Sequence, residues 1–399
     1  MSGGRPLRTA AVIHHGFAYG GSERVVVEQV RALSGAGAVV DVWAPNEDGP
    51  DDLVPALRAL GPGVRDVGRL PSEKHVRDTL IARQYDVVVT CEVARAYRAA
   101  LSLAHNPLRR RPPLVETVHE RYDWNLRDEH GRKRRAVDAW MLTHDFRDRL
   151  AARMRVAPER MGIAHPLFPE SLLAPTPNDL AEAAAFRARL GIAPGAVVLG
   201  YLGRVAENKG VHHLVPMVAR MVRDGLDVHL VLAGRTMPPG SGFDGELSSL
   251  VARAQADEPR LVGRVHRPGA LRSRHAVYPA FDVLPLCSRV EGLLPLTLVE
   301  AMSVGIPVVT TDVGGIREML RDDADAAVVR KEPDDESPPS PDVLAAFEGR
   351  LRALATDPAT RKRLGDAGRA RVRALVAAND FRGDFLRVVE LAMRARGRR

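Results

Sequence analysis

Cysteine is nearly absent from this chain: 399 residues contain two, Cys91 and Cys287, each in or beside a short apolar run and far apart. That excludes a disulfide framework and points to a reducing, cytoplasmic compartment. Aromatic residues make up 5%, too few for an obvious base-stacking platform, and no nucleic-acid-binding motif is present, so no nucleic-acid partner is expected despite a pI near 9.9. No run approaches the roughly 20 apolar residues that span a bilayer. The amino end also lacks the apolar core of a signal peptide. A DxD at Asp323 and Asp325 is the nearest thing to a metal motif, but it sits in the polar stretch RDDADA, which reads as a solvated loop, so no metal is assigned.

What is present is an alternation of short apolar runs (AAVIHH, VVDVWA, DVVVTC, AVVLGYLG, HLVLAG, DVLPLC, PVVTT) with longer helical stretches. That pattern predicts a parallel α/β arrangement. The length suits two domains, each able to bury a core, and the 45% hydrophobic and 27% charged content is ordinary for a soluble enzyme. The pattern breaks at a proline-containing connection, LFPESLLAPTPND (167–179), giving a first domain over 1–168 and a second over 169–379, followed by a helical segment over 380–399. A polar insertion, KEPDDESPPSPD (331–342), is expected to be an exposed, mobile loop.

Two stretches carry chemistry. In GYLGRVAENKG (200–210) a buried strand ends at Gly203 and delivers Arg204 and Lys209 into one turn region ahead of a helix from about His212. A guanidinium fork and a compact ammonium so placed suit a diphosphate. In EGLLPLTLVEAMSVGIPVV (291–309), Pro295 fits the first turn of a helix, which leaves the backbone donors of Leu296 and Thr297 facing an anion. Glu300 lies in apolar company on that helix and needs a partner; a ribose diol can offer two O–H donors, and a neighbouring arginine is the alternative.

These stretches, with HHGFAYGGSERVVVEQVRALSGAGAVVDVWAP (14–45), LVLAGR (230–235), YPAFDVLPLCSRVEG (278–292), EAMSVGIPVVTTDVGG (300–315) and TDPATRKRLGDAGRARV (356–372), resemble the retaining glycosyltransferases of family 4 over nearly the whole chain. The resemblance implies a GT-B fold: two Rossmann-like domains with parallel sheets facing across a cleft, the first binding the acceptor, the second the nucleotide-sugar donor, and the C-terminal helix packing back on the first. It implies transfer of a hexose-type sugar from a UDP or GDP sugar to a hydroxyl acceptor, with configuration retained and neither cofactor nor metal. Arg204 and Lys209 would bind the diphosphate, Glu300 the ribose, and Glu291 would stand close to the transferred sugar. His119, after LVETV (114–118), would touch the donor sugar. Gly20 and Gly21 would approach the donor phosphate and the acceptor, with Ser22 as helix cap. Gly203 would shape the donor loop, and backbone near Val265 and His266 would contact the base. One departure stands out: Glu291 and Glu300 are nine positions apart, where related proteins usually have eight, with the extra residue in Leu293–Leu294.

The net charge of +8 gathers at Arg109 to Arg111, at Arg132 to Arg135 and in the tail Arg394, Arg396, Arg398 and Arg399. Either these form a solvated basic face, or they serve a lipid-linked or anionic acceptor and peripheral contact with the anionic inner face of the cell membrane. Two other functions fit the same residues: a GT-B disaccharide phosphorylase or synthase using phosphate, and a non-catalytic nucleotide-sugar-binding protein of that fold.

Overall fold

In the computed structural model the described residues are all except 1–6, 15–20, 45–52, 92, 105–110, 120–130, 170–171, 237–241, 272, 293–294, 333–336 and 398–399. The chain forms two compact units, residues 1–166 with 380–399, and residues 167–379.

The first unit carries seven strands: β1 (Thr9–Ile13), β2 (Val39–Ala44), β3 (Val64–Arg69), β4 (Val87–Cys91), β5 (Leu114–Val118), β6 (Ala139–Leu142) and β7 (Met161–Ile163). All pair in parallel, in the order β3-β2-β1-β4-β5-β6-β7. Strands β4, β5 and β6 are buried throughout, which is why β4 reads as a continuous Val-rich run without alternation. The helix Phe381–Gly397 belongs to this unit, with Arg382 held by Glu28 of the helix Gly21–Gly35 at 2.7 Å.

The second unit holds β8 (Val197–Leu202), β9 (Val228–Ala233), β10 (Val265–Gly269), β11 (Leu284–Leu286), β12 (Val308–Thr311) and β13 (Ala327–Val329). They form two three-stranded parallel sheets, β10-β9-β8 and β11-β12-β13. The sheets meet where Leu199 bridges Val283 and the Gly200 amide donates to the Val283 carbonyl at 2.9 Å. The resulting order is β10-β9-β8-β11-β12-β13, with the chain reversing its direction of strand addition between β8 and β11. In such sheets the crevice beyond the carboxyl ends of the two strands flanking that reversal is where ligands bind. The loops after β8 and β11 are the two stretches singled out in the sequence.

Several expectations change on contact with the structure. Arg111 is buried, with its guanidinium 2.8 Å from Asp138 and donating to the Ala136 carbonyl. Lys133 is buried against Glu116 at 2.5 Å and lies over the Trp140 ring. Each therefore neutralises an acid inside the first unit and is unavailable to a membrane; Arg109, Arg110, Arg398 and Arg399 lie outside the described residues. Asp325 is no solvated loop residue either: it is buried and held by Arg321 at 2.8 Å, while Asp323 pairs with Arg350. Lys331, at the head of the expected exposed insertion, is buried, and by Pro341 the chain is already helical, capped by the Ser340 hydroxyl. Ser22, expected as a cap, lies inside the helix, which already starts at Gly21.

Strand β9 carries His229, whose Nδ1 lies 3.0 Å from Nε2 of His266 on β10, the rings stacked. Burial, with the neighbouring imidazole, pushes His229 down to about 4, and burial does the same to His213 on the helix Val211–Arg223. The unfolded chain binds these protons near 6.5 and the folded chain does not, so their contribution is complete above that pH and is lost as pH falls toward 4. Thermal midpoints measured across pH 4–8 should fall below 6.5, and His229→Asn should reduce that slope, His213 retaining part of it.

Candidate donor site

The carboxyl end of β8 delivers Gly203 and Arg204. Arg204 is exposed, and its backbone carbonyl accepts from the buried Tyr201 hydroxyl at 2.6 Å. A short turn, Glu207–Lys209, then brings Lys209 back toward β11. Gly210 makes this return possible: its φ is +66°, and a Cβ there would lie 1.8 Å from the Cys287 carbonyl oxygen. The Arg289 amide donates to the Asn208 carbonyl at 2.9 Å, fixing the two loops side by side.

Across that contact Lys209 Nζ lies 2.7 and 2.6 Å from the two carboxylate oxygens of Glu291. The side chains are 12% and 5% exposed, so this is a shielded ion pair and not a surface one. The Ser288 hydroxyl donates to Glu291 Oε1 at 2.6 Å, and Thr311 at the end of β12 holds the Ser288 carbonyl at 2.7 Å. Behind Glu291 the backbone is tied by the Gly315 amide to the Gly292 carbonyl at 2.7 Å. Gly314, at φ +59°, permits it; a Cβ there would lie 2.1 Å from the Glu291 carbonyl oxygen. The longer spacing between the two glutamates therefore leaves Glu291 beside Lys209. Leu293 and Leu294, where the extra residue falls, lie outside the described residues.

The helix Leu296–Ser303 starts after Pro295, which takes the cap position and not the first turn. Its first inward bonds run from Leu298 and Val299 to the Pro295 carbonyl, so the amides of Leu296 and Thr297 precede the intrahelical ladder. The Thr297 side chain donates to the Leu202 carbonyl at 2.7 Å, which joins the helix start to the end of β8. Glu300 is buried and accepts from the Tyr278 hydroxyl at 2.8 Å. Gly203, Arg204, Lys209, Glu291, Leu296, Thr297 and Glu300 are thus gathered at one end of one sheet.

Other expected residues fall elsewhere. Val265 and His266 open β10, whereas Gly269 is the residue level with Ala233 and Leu202 at the carboxyl edge. Val265 and His266 pair with Leu230 and Val231, three and two residues before that edge on β9, which is about 10 and 7 Å of strand, and His266 is occupied with His229. His119 follows β5 at the carboxyl edge of the first unit's sheet, its carbonyl accepting from Thr143 at 2.8 Å. Gly21 starts the helix after β1, and Gly20 lies outside the described residues. Sequence reading missed Tyr278, Tyr201 and Ser288. Each was inside a quoted stretch, but hydroxyl partners three to 22 residues away are set by the fold, and Ser288, three residues before Glu291, was the most discoverable. Among the described residues no three His, Cys, Asp or Glu side chains gather as metal ligands.

Residues 19–166 match the family model described as Glycosyltransferase Family 4, and residues 196–337 match that described as Glycosyl transferases group 1. An alpha-maltose-1-phosphate synthase of Mycobacterium tuberculosis is 30% identical over 206 residues, 49% of this chain and 48% of that protein. A D-inositol 3-phosphate glycosyltransferase of Kribbella flavida is 26% identical over 398 residues, 87% of this chain and 85% of its own. The chain spans about half the length of the first of these relatives. Among solved structures, HepE of Anabaena in complex with UDP-glucose superposes with a TM-score of 0.73 at 18% identity, over 96% of this chain and 98% of that one. The chain belongs to the group 1 glycosyltransferases of family 4, with parallel α/β units of the GT-B type.

Proposed function

We propose that the protein transfers a hexose-type sugar from a nucleoside diphosphate sugar to a hydroxyl acceptor with retention of configuration. The observation that carries this reading is the meeting of Lys209 with Glu291 across 82 residues at the strand-order reversal, next to Arg204. That HepE was solved with UDP-glucose supports a nucleotide-sugar donor.

In this reading Arg204, Lys209 and the Leu296 and Thr297 amides hold the diphosphate, and Glu300 takes the ribose hydroxyls. The bond from the anomeric carbon to the β-phosphate oxygen breaks as the acceptor oxygen bonds to that carbon on the same face. The acceptor proton passes to the departing phosphate, so no enzyme nucleophile is used. Negative charge grows on the leaving oxygen, and fixed cations there act where they lower the barrier. Two positive charges serve the diphosphate, and the reaction is proposed to need no metal. His119, Gly20 and Gly21 are proposed to serve the sugar and acceptor.

The acceptor is proposed to be anionic: two relatives carry a phosphorylated sugar or polyol in their names. With Arg111 and Lys133 buried in ion pairs, a membrane surface has less support than the sequence offered it. No helix among the described residues is long and apolar enough to cross a membrane.

Thermal shift against UDP, GDP, ADP, dTDP and their sugar conjugates, with inorganic phosphate as control, tests the reading. A nucleotide at a hundred times its dissociation constant should stabilise the fold by about 2.7 kcal/mol. A response to phosphate without any to nucleotides would favour a phosphorylase, and no response at all a protein without this donor site.

A further inference from the structure

Tyr278 is fully buried, and its hydroxyl sits between Glu300 and Thr297. It donates to Glu300 Oε2 at 2.8 Å, and it lies 3.0 Å from Thr297 Oγ1, which in turn holds the Leu202 carbonyl at 2.7 Å. A phenol has one proton, and of its two neighbours the carboxylate is both nearer and charged, so that bond is the stronger. The ring is itself fixed from behind. It packs edge to face against Phe281 with centroids 6.2 Å apart, and Phe281 fills the space over Gly200, where a Cβ would lie 2.0 Å from the ring. Gly200 is therefore what lets β8 seat Phe281, and Phe281 what aims the Tyr278 hydroxyl.

A glutamate on a helix has three side-chain torsions, and a diol is recognised only if the carboxylate plane is already set when the sugar ring arrives. We propose that Tyr278 is a positioning residue that orients Glu300 and thereby sets the selectivity of the site for ribose over deoxyribose. This rests on the nucleoside-diphosphate reading above. Thr297, by contrast, ties the helix to the end of β8 and serves the phosphate side, so the two hydroxyls have separable effects.

The test is the binding of UDP, GDP, ADP and CDP and their 2′-deoxy counterparts to the wild type and to Tyr278→Phe, Thr297→Val and Arg204→Ala, by calorimetry. With a hydrogen bond to a charged group at stake, the wild type should prefer a ribonucleotide by about tenfold or more. Tyr278→Phe should lose most of that preference through weaker ribonucleotide binding, with the deoxynucleotide unchanged. Thr297→Val and Arg204→Ala should weaken both nucleotides alike and keep the preference. Equal weakening of both by Tyr278→Phe, or an unchanged preference, overturns the proposal while leaving the donor site intact. A wild type that binds none of the nucleotides overturns the functional reading and this inference with it. Tyr278→Phe keeps the ring and its packing, and Thr297→Val supplies a control of similar severity on the same network.

Discussion

Arg204→Ala and Lys209→Ala should each lower sugar transfer by about two orders of magnitude, the scale of ~3 kcal/mol of lost transition-state stabilisation. They should differ in every other respect. Arg204 is exposed, makes no ion pair among the described residues and stands on a backbone held by Tyr201. Its removal costs the fold almost nothing, and the thermal midpoint should stay within a degree or so of wild type. Lys209 neutralises Glu291, a carboxylate 5% exposed. Without it Glu291 is left shielded and charged, so Lys209→Ala should also lower the midpoint by several degrees. Transfer assays with thermal melts on both variants check the pair. Near-normal turnover in both would remove these residues from the leaving-group site.

Glu291→Gln should have opposite effects on binding and on transfer. Lys209 is already satisfied by Glu291, with Ser288 supporting the same carboxylate. A diphosphate that reaches Lys209 must share it with that carboxylate. Two like charges about 5 Å apart repel by ~3 kcal/mol at an effective dielectric near 20. Removing the charge should tighten binding of the free nucleoside diphosphate by about tenfold or more. Transfer should fall by about tenfold or more, because the residue that would meet the sugar has lost its charge. In the proposed mechanism a phosphate that takes Lys209 would free Glu291 to face the sugar. Titration of the nucleotide with parallel transfer rates separates this from a purely structural role, which would weaken both.

Much of this was legible in the sequence because it is written in backbone requirements. A strand that stops at Gly203, a cation pair spaced for one turn, and a proline ahead of an apolar helix carrying Glu300 each have few alternative conformations, and their places at the strand-order reversal follow from the α/β alternation. Side-chain pairing was less legible. Arg111 and Lys133 read as basic clusters because the partners that bury them, Asp138 and Glu116, lie 27 and 17 residues away and meet them only once β5 and β6 pair. Asp325 pairs with Arg321 only four residues before it, but a second partner, Arg371 at 3.6 Å, arrives from a later helix that the local stretch does not reveal. Val265 and His266 open β10 instead of closing it, and a short strand gives no sequence signal of where its edge falls. Tyr278 was invisible as a functional residue, since its value lies in a hydroxyl aimed by Phe281 and Gly200.

The most direct test of a retaining nucleotide-sugar transferase requires no knowledge of the acceptor. Wild-type protein and the Arg204→Ala, Lys209→Ala double variant would be incubated with the α-linked donors UDP-glucose, GDP-glucose and ADP-glucose, and sugar release to water followed by proton NMR. Wild type should release the α-anomer first from one donor, before mutarotation, and the double variant should release it at least a hundred times more slowly, as the loss of both cations requires. Release of the β-anomer first, or equal rates from both proteins, would contradict this.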